Sequence, residues 1–228
     1  MSDVLYILGR GSKHEDKELR LSLRCLEKNA KGIDRVFIVG NCPEWVKNVI
    51  HIPAEDTYQK EQNHFQKVFR AIEGGISENF LLMNDDFFML KPFDVRKYPY
   101  YVRKSLEKYE NPSRYQIMIN NTIDYLKKQG IEKPLAYNVH CPIIYNAKDF
   151  YSLKGFAEEH KRDEIGYSPR ILYGNMFVGK GIAVDDCKMH EDGSVSVGKT
   201  CCLSTSDDCE NVLKELENMY ANKSQWEK

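Results

Sequence analysis

A short apolar run that halts at two adjacent carboxylates and then resumes with two aromatics, Phe80-Leu81-Leu82-Met83-Asn84-Asp85-Asp86-Phe87-Phe88, constrains this chain more than any other stretch. Such a run reads as a buried strand that delivers acid groups to its own carboxyl end, where open α/β sheets bind ligands. Alternate side chains of an extended chain share a face, so Asn84 and Asp86 are expected to point together and Asp85 away, unless the strand has already turned. Hard oxygen ligands of this kind suit Mg2+ or Mn2+, which complete an octahedron with water and substrate phosphates. Asp86, with Asp85, is therefore the expected metal site. The plainer alternative is a turn in which Asn84 and the aspartates cap the following segment.

The flanking segments alternate between strand and helix. Residues 3–8, 35–39 and 49–52 have strand character. Residues 16–29 carry Leu19, Leu23 and Leu26 at helical spacing, and residues 59–73 carry Phe65, Val68, Phe69 and Ile72. This order predicts an α/β fold with a mostly parallel sheet flanked by helices. After the first strand, Gly9-Arg10-Gly11-Ser12 gives a flexible loop with a cation and backbone donors, able to cradle a phosphate or a base without being a full dinucleotide fingerprint. Arg20 and Arg24 share a helix face, as a solvated pair or an anion clamp.

After Pro92, tyrosines interleave with bases through residues 91–115, among them Tyr98, Tyr101 and Arg103. A sugar or an exposed base needs that mixture from a binding groove, and an amphipathic helix with snorkelling lysines would look the same. Residues 113–129 read as a helix, and 136–145, with His140-Cys141-Pro142, as a strand. A helix from residue 149 and a helical stretch over 170–177 follow. Val184-Asp185-Asp186 and His190 fall in a polar loop, and Asp207 or Asp208 caps a last helix to about residue 220, followed by a frayed tail.

Composition narrows the function classes. Lysine plus arginine (33) nearly balances aspartate plus glutamate (34), so no global field recruits nucleic acid or an anionic membrane. No apolar run is long enough to span a membrane, and the 7 cysteines show no CxxC spacing, which fits reduced thiols in the cytoplasm. The 228 residues suffice for one domain.

Leu21-Ser22-Leu23-Arg24-Cys25-Leu26-Glu27-Lys28, Val36-Phe37-Ile38-Val39, Pro43, Trp45, Ile52-Pro53, Ser77-Glu78-Asn79-Phe80 and Asn84-Asp85-Asp86-Phe87-Phe88 with Pro92 resemble the central region of the Stealth family. Those proteins are sugar-phosphate transferases of capsular polysaccharide synthesis, with a core similar to a GT-A nucleotide-sugar transferase. His140 and Pro142 resemble the family's later histidine-proline motif. Leu8-Gly9-Arg10-Gly11 lacks the tryptophan and aspartate of the family's opening Trp-Val-Asp-Gly segment. The compact length and Leu203-Ser204-Thr205-Ser206-Asp207 look like small bacteriophage glycosyltransferases, some of which decorate hydroxymethylated bases in phage DNA.

The resemblance implies a GT-A-like fold with a helical C-terminal part, residues 1–95 binding the nucleotide sugar and 96–228 the acceptor. It implies a metal-dependent glycosyltransferase, or else Stealth-type sugar-phosphate transfer. Gly9, Arg10, Gly11, Lys13, Arg24 and Asn84 are the expected donor contacts, since arginine's fork suits a diphosphate. Asp86, Asp85 and His190 are the candidate metal ligands. His140 is the first choice for the base that takes the acceptor proton, with Asp185 or Asp186 second and Asp85 a further catalytic candidate. Tyr98, Tyr101, Arg103 and Arg170 are candidate contacts for the acceptor, a carbohydrate or modified DNA. A third reading, non-enzymatic, leaves the acid pair as a turn beside a glycan- or nucleic-acid-binding surface.

Overall fold

The computed structural model describes residues 2–9, 12, 15–195, 197–206 and 209–228. The chain runs through β1 (Asp3–Leu8), α1 (Lys17–Asn29), β2 (Ala30–Lys31), β3 (Val36–Gly40), β4 (Ile50–Ile52), α2 (Lys60–Glu73), β5 (Asn79–Met83), β6 (Phe87–Met89), β7 (Phe93–Asp94) and β8 (Tyr101–Val102). There follow α3 (Arg114–Lys128), β9 (Ile143–Asn146), α4 (Ala147–Ser152), α5 (Lys154–Glu159), α6 (Pro169–Tyr173), β10 (Ile182–Ala183), β11 (Lys188–Met189), β12 (Cys202–Thr205) and α7 (Glu210–Met219).

The main sheet has the order β4-β3-β1-β5-β9, parallel except for β9, which runs antiparallel to β5. This is the mostly parallel, helix-flanked architecture expected from the alternation of strand and helix. Its strands are apolar on both faces, and the residues sort with period two. Leu5, Phe37, Val39, Phe80 and Leu82 face a core under α2 and α3, while Val4, Tyr6, Val36, Ile38, Leu81 and Met83 face one under α1. Each such fully buried side chain contributes about 2 kcal/mol. Helix α1 is apolar on two sides, because Leu21 and Cys25 pack against Val212, Leu213 and Leu216 of α7. Ser113 and Gln116 form a capping box at the start of α3, and the Gln59 side chain caps α2.

Two expectations change. Of the expected strand at 136–145 only residues 143–145 join the sheet, as part of β9. Pro142 has no N–H for a ladder, and the carbonyls before it bond elsewhere: Tyr137 O and Cys141 O accept from Arg170, and Ala136 O from Arg103 N. The C-terminal tail is packed rather than frayed. Trp226 and Glu227 are buried, Lys47 N donates to Trp226 O, and Lys228 N donates to Trp45 O. The proposed helix caps Asp207 and Asp208 lie outside the described residues. Among the described residues, no helix is long and apolar enough to cross a membrane.

Candidate active site

The carboxyl ends of β1 and β5 open into a cavity of about 720 Å³. Strand β5 stops at Met83, and Phe87 N donates to Asn84 O at 3.2 Å, closing a turn that starts β6. The turn overrides the extended alternation, so Asn84, Asp85 and Asp86 all line the cavity together. The strand has already turned at the acid pair, which is the case in which that alternation was not expected to hold.

The two carboxylates are held differently. Asp86 Oδ2 accepts from Lys188 Nζ at 2.8 Å and from Ser204 Oγ at 2.7 Å, so β11 and β12 supply its partners. Among the described residues, Asp85 has no such cation. Loss of solvent, and then the adjacent charge of Asp86, lift its carboxyl to about 6.

The β1 end is built for close approach. Gly40 adopts φ 114°, and a Cβ there would collide with Leu8 O, so glycine lets β3 end against β1. Buried Lys67 of α2 donates to Leu8 O at 2.7 Å and pairs with Asp56 at 2.5 Å. Gly9 and Asp56 line the cavity beside them. One turn before Lys67, His64 also lines the cavity, and its Nε2 is buried without a partner. Burial, then the charges of Arg170, Lys60 and Lys67, push this imidazole down to about 3, so it stays neutral.

His140 reaches the same cavity from the loop before β9. Its Nδ1 lies 3.0 and 2.9 Å from the two oxygens of Asp186, and its backbone N–H donates to Asp186 Oδ1 at 3.0 Å. An ionised Asp186 fixes the proton on Nδ1 and leaves the Nε2 lone pair as the basic site. Burial alone would raise the Asp186 carboxyl, but the His140 hydrogen bonds and the Arg103 charge, 3.3 Å away, hold it well below the usual carboxylate range. Arg170 lines the cavity while donating to Cys141 O at 2.6 Å, which braces the His140 loop. Asn138, bonded through Nδ2 to the Tyr115 hydroxyl at 3.0 Å, leaves Oδ1 buried and unpartnered in the same wall.

Of the residues singled out from sequence, Gly9, Asn84, Asp85, Asp86, His140 and Arg170 thus share one cavity. Arg24 does not. It forms a two-pronged ion pair with buried Glu227, at 2.8 and 2.9 Å, and donates to Tyr220 O, so it anchors the C-terminal tail rather than a diphosphate. Tyr98 and Tyr101 are buried, with hydroxyls donating to Thr200 O and Lys199 O, and have no face left for an acceptor. Asp185 and Arg103 line a second cavity of about 700 Å³, and it is Asp186 that holds His140. His190 is exposed and lines neither cavity. Arg10, Gly11 and Lys13 lie outside the described residues.

Among the described residues, no three His, Cys, Asp or Glu side chains gather as a ligand set. The donor chemistry at the turn still fits a hard divalent cation. Mg2+ typically takes one or two carboxylates and leaves its other positions to water and phosphate, and Asp85 is a carboxylate short of positive charge.

No protein-family model and no curated protein matches the chain. Among solved structures, galactosyltransferase LgtC, determined in complex with donor and acceptor sugar analogs, is similar with a TM-score of 0.52 at 11% identity, over 99% of this chain and 98% of that one. The chain has the fold of this galactosyltransferase. The GT-A-like architecture implied by the resemblance is therefore the one found. Two further structures score lower. The cytidylyltransferase of 2-C-methyl-D-erythritol 4-phosphate from Thermus thermophilus gives a TM-score of 0.44 at 9% identity, over 97% of this chain and 100% of that one. The bifunctional IspDF from Campylobacter jejuni gives 0.41 at 10%, over 77% and 47%.

Proposed function

We propose that this chain is a metal-dependent glycosyltransferase that moves a sugar from a nucleotide-sugar donor to an acceptor hydroxyl. One observation carries the reading: an acid pair at the end of the sheet and a histidine oriented by a carboxylate line the same cavity. The acceptor oxygen attacks the anomeric carbon as the bond to the diphosphate breaks, so negative charge grows on the leaving oxygens while the acceptor sheds a proton. His140 Nε2 takes that proton, and Asp186 stabilises the imidazolium that results. Asp85, with the remaining oxygen of Asp86, would hold Mg2+ or Mn2+, which supplies Lewis-acid stabilisation of the leaving diphosphate when bound. The unpartnered His64 Nε2 and Asn138 Oδ1 are suited to a polyhydroxylated ligand, because a sugar hydroxyl can donate to one atom and accept from another. The acceptor hydroxyl belongs to a carbohydrate or to a hydroxymethylated base of phage DNA.

A thermal-shift screen of nucleoside diphosphates and nucleotide sugars with Mn2+ tests this reading. One base class should raise Tm in the wild type and not in Asp85→Asn, and the hit should be hydrolysed. Equal shifts in both proteins, or none with any donor, would overturn it. Of the Stealth-like residues 84–88, Asn84, Asp85, Asp86 and Phe87 line the cavity, which keeps sugar-phosphate transfer as the second reading. A donor labelled in the β-phosphate separates the two, because the label reaches the acceptor only if attack is at phosphorus.

A further inference from the structure

His140 and Asp186 are each followed in the chain by a cysteine, and those two cysteines meet. Cys187 packs against the buried cluster that holds Cys141 and Cys202, and its Sγ donates to His140 O at 2.8 Å. Cys202 Sγ is 3.9 Å from the same oxygen. Cys141 and Cys202 are sealed from solvent at 1% and 0% exposure, whereas Cys187 is half-buried and lines the second cavity, where Arg103, Lys104, Lys188 and Lys199 outnumber the acids Asp185 and Asp186. Partial exposure among cations is the setting in which a cysteine reacts as thiolate.

The surroundings rank the three sulfurs. The His140 carbonyl favours a protonated Cys187, while donation from two buried thiols favours its thiolate. The Cys141 and Cys202 thiols, with Thr200, pull Cys187 down to about 4 against burial and the Asp186 charge, and burial pushes Cys141 and Cys202 well up. Among the described residues the sulfurs do not form a metal-ligand set. The cluster therefore has one sulfur placed to be oxidised and a buried neighbour placed to resolve it.

We propose that Cys187 and Cys141 are a peroxide-sensitive thiol pair whose disulfide disables His140. The Cys187 thiolate attacks one oxygen of hydrogen peroxide, the O–O bond breaks, and the departing hydroxide takes up a proton, leaving a sulfenic acid and water. The Cys141 sulfur then displaces the hydroxyl from Cys187, releasing a second water as the S–S bond forms. Two thiols have lost two electrons and two protons, and peroxide has been reduced to two waters. The new bond removes the Cys187 thiol from His140 O and ties together the residues that follow His140 and Asp186, so the pair loses its alignment. The loss of transfer rests on His140 being the base, whereas the disulfide does not.

The experiment treats the full chain with hydrogen peroxide, maps it by mass spectrometry without reduction, and follows transfer before and after dithiothreitol. The wild type should lose two hydrogen atoms at a 141–187 cross-link, lose transfer in proportion, and recover both on reduction. Cys141→Ser should instead leave a sulfenic acid at residue 187 that dimedone traps. Cys187→Ser, with its fold verified by circular dichroism, should form no cross-link and keep its rate after peroxide. A first cross-link elsewhere, or oxidation of Cys187→Ser at the wild-type rate, overturns the thiol pair. A clean 141–187 disulfide in a protein that turns over no nucleotide sugar would uphold the pair and defeat the reading of His140 instead.

Discussion

Asp85 and Asp186 are the same side chain in opposite electrostatic states. Asp85 sits in a closed turn beside another acid, and desolvation followed by like charge raises it to about 6. Asp186 is also deprived of solvent, yet His140 and Arg103 surround it with donors and it stays ionised far into acid. The difference lies in the partners: His140 and Arg103 match the charge of Asp186, whereas among the described residues no cation faces Asp85.

The sharpest way to break this contrast is Asp85→Asn. Loss of the unmatched carboxylate should lower transfer about a thousandfold, measured at saturating Mn2+. The same change should stabilise the metal-free protein. A carboxyl raised above its ordinary 3.8 to about 6 makes stability fall as pH climbs through that window, so removing it should flatten the slope and add on the order of 3 kcal/mol at pH 7, read by urea denaturation. Asp186 has the opposite sign, since a depressed carboxyl stabilises above its ordinary range and that contribution disappears as pH falls below about 4.

His140→Ala should cost about a hundredfold in transfer while leaving nucleotide-dependent Tm shifts intact, which separates proton transfer from donor binding. Asp186→Asn keeps the imidazole and loses the charge that orients it. A drop of about tenfold with a shifted pH profile is expected, and an unchanged profile would contradict the positioning role. Arg24→Met removes the two-pronged partner of buried Glu227 and leaves that carboxylate to Arg20 and Ser224, so it should cost about 2 kcal/mol of stability without altering the nucleotide-dependent shift. The smallest effect is Tyr98→Phe, which removes one hydrogen bond to Thr200 O and about 1 kcal/mol, with no change in acceptor KM.

The pattern of buried strands and amphipathic helices was legible because it is local. Short apolar runs marked β1, β3 and β5 as strands, helical spacing marked the inner faces of α1 and α2, and Asn84-Asp85-Asp86 ended β5 where expected. The site was only partly legible. His140 was singled out by its motif and reaches the cavity, but Lys188 and Ser204 meet Asp86 across 102 and 118 residues, and no spacing marks either. Arg20 and Arg24 were placed on one face, yet which acid they would meet depended on a tail 203 residues beyond Arg24. Tyr98 and Tyr101 misled because a buried tyrosine and a stacking platform have the same composition signature, and only packing separates them.

The order of residues was thus enough to dictate a parallel sheet that presents acids at its carboxyl edge, since hydrophobic period and strand length act within a few residues. It took the folded chain to settle which of those acids keeps an unmatched charge, which ring nitrogen of His140 is left basic, and which arginine is spent on the tail. Charges are matched by whatever the fold brings within about 4 Å, and that distance is set by packing between segments far apart in the chain.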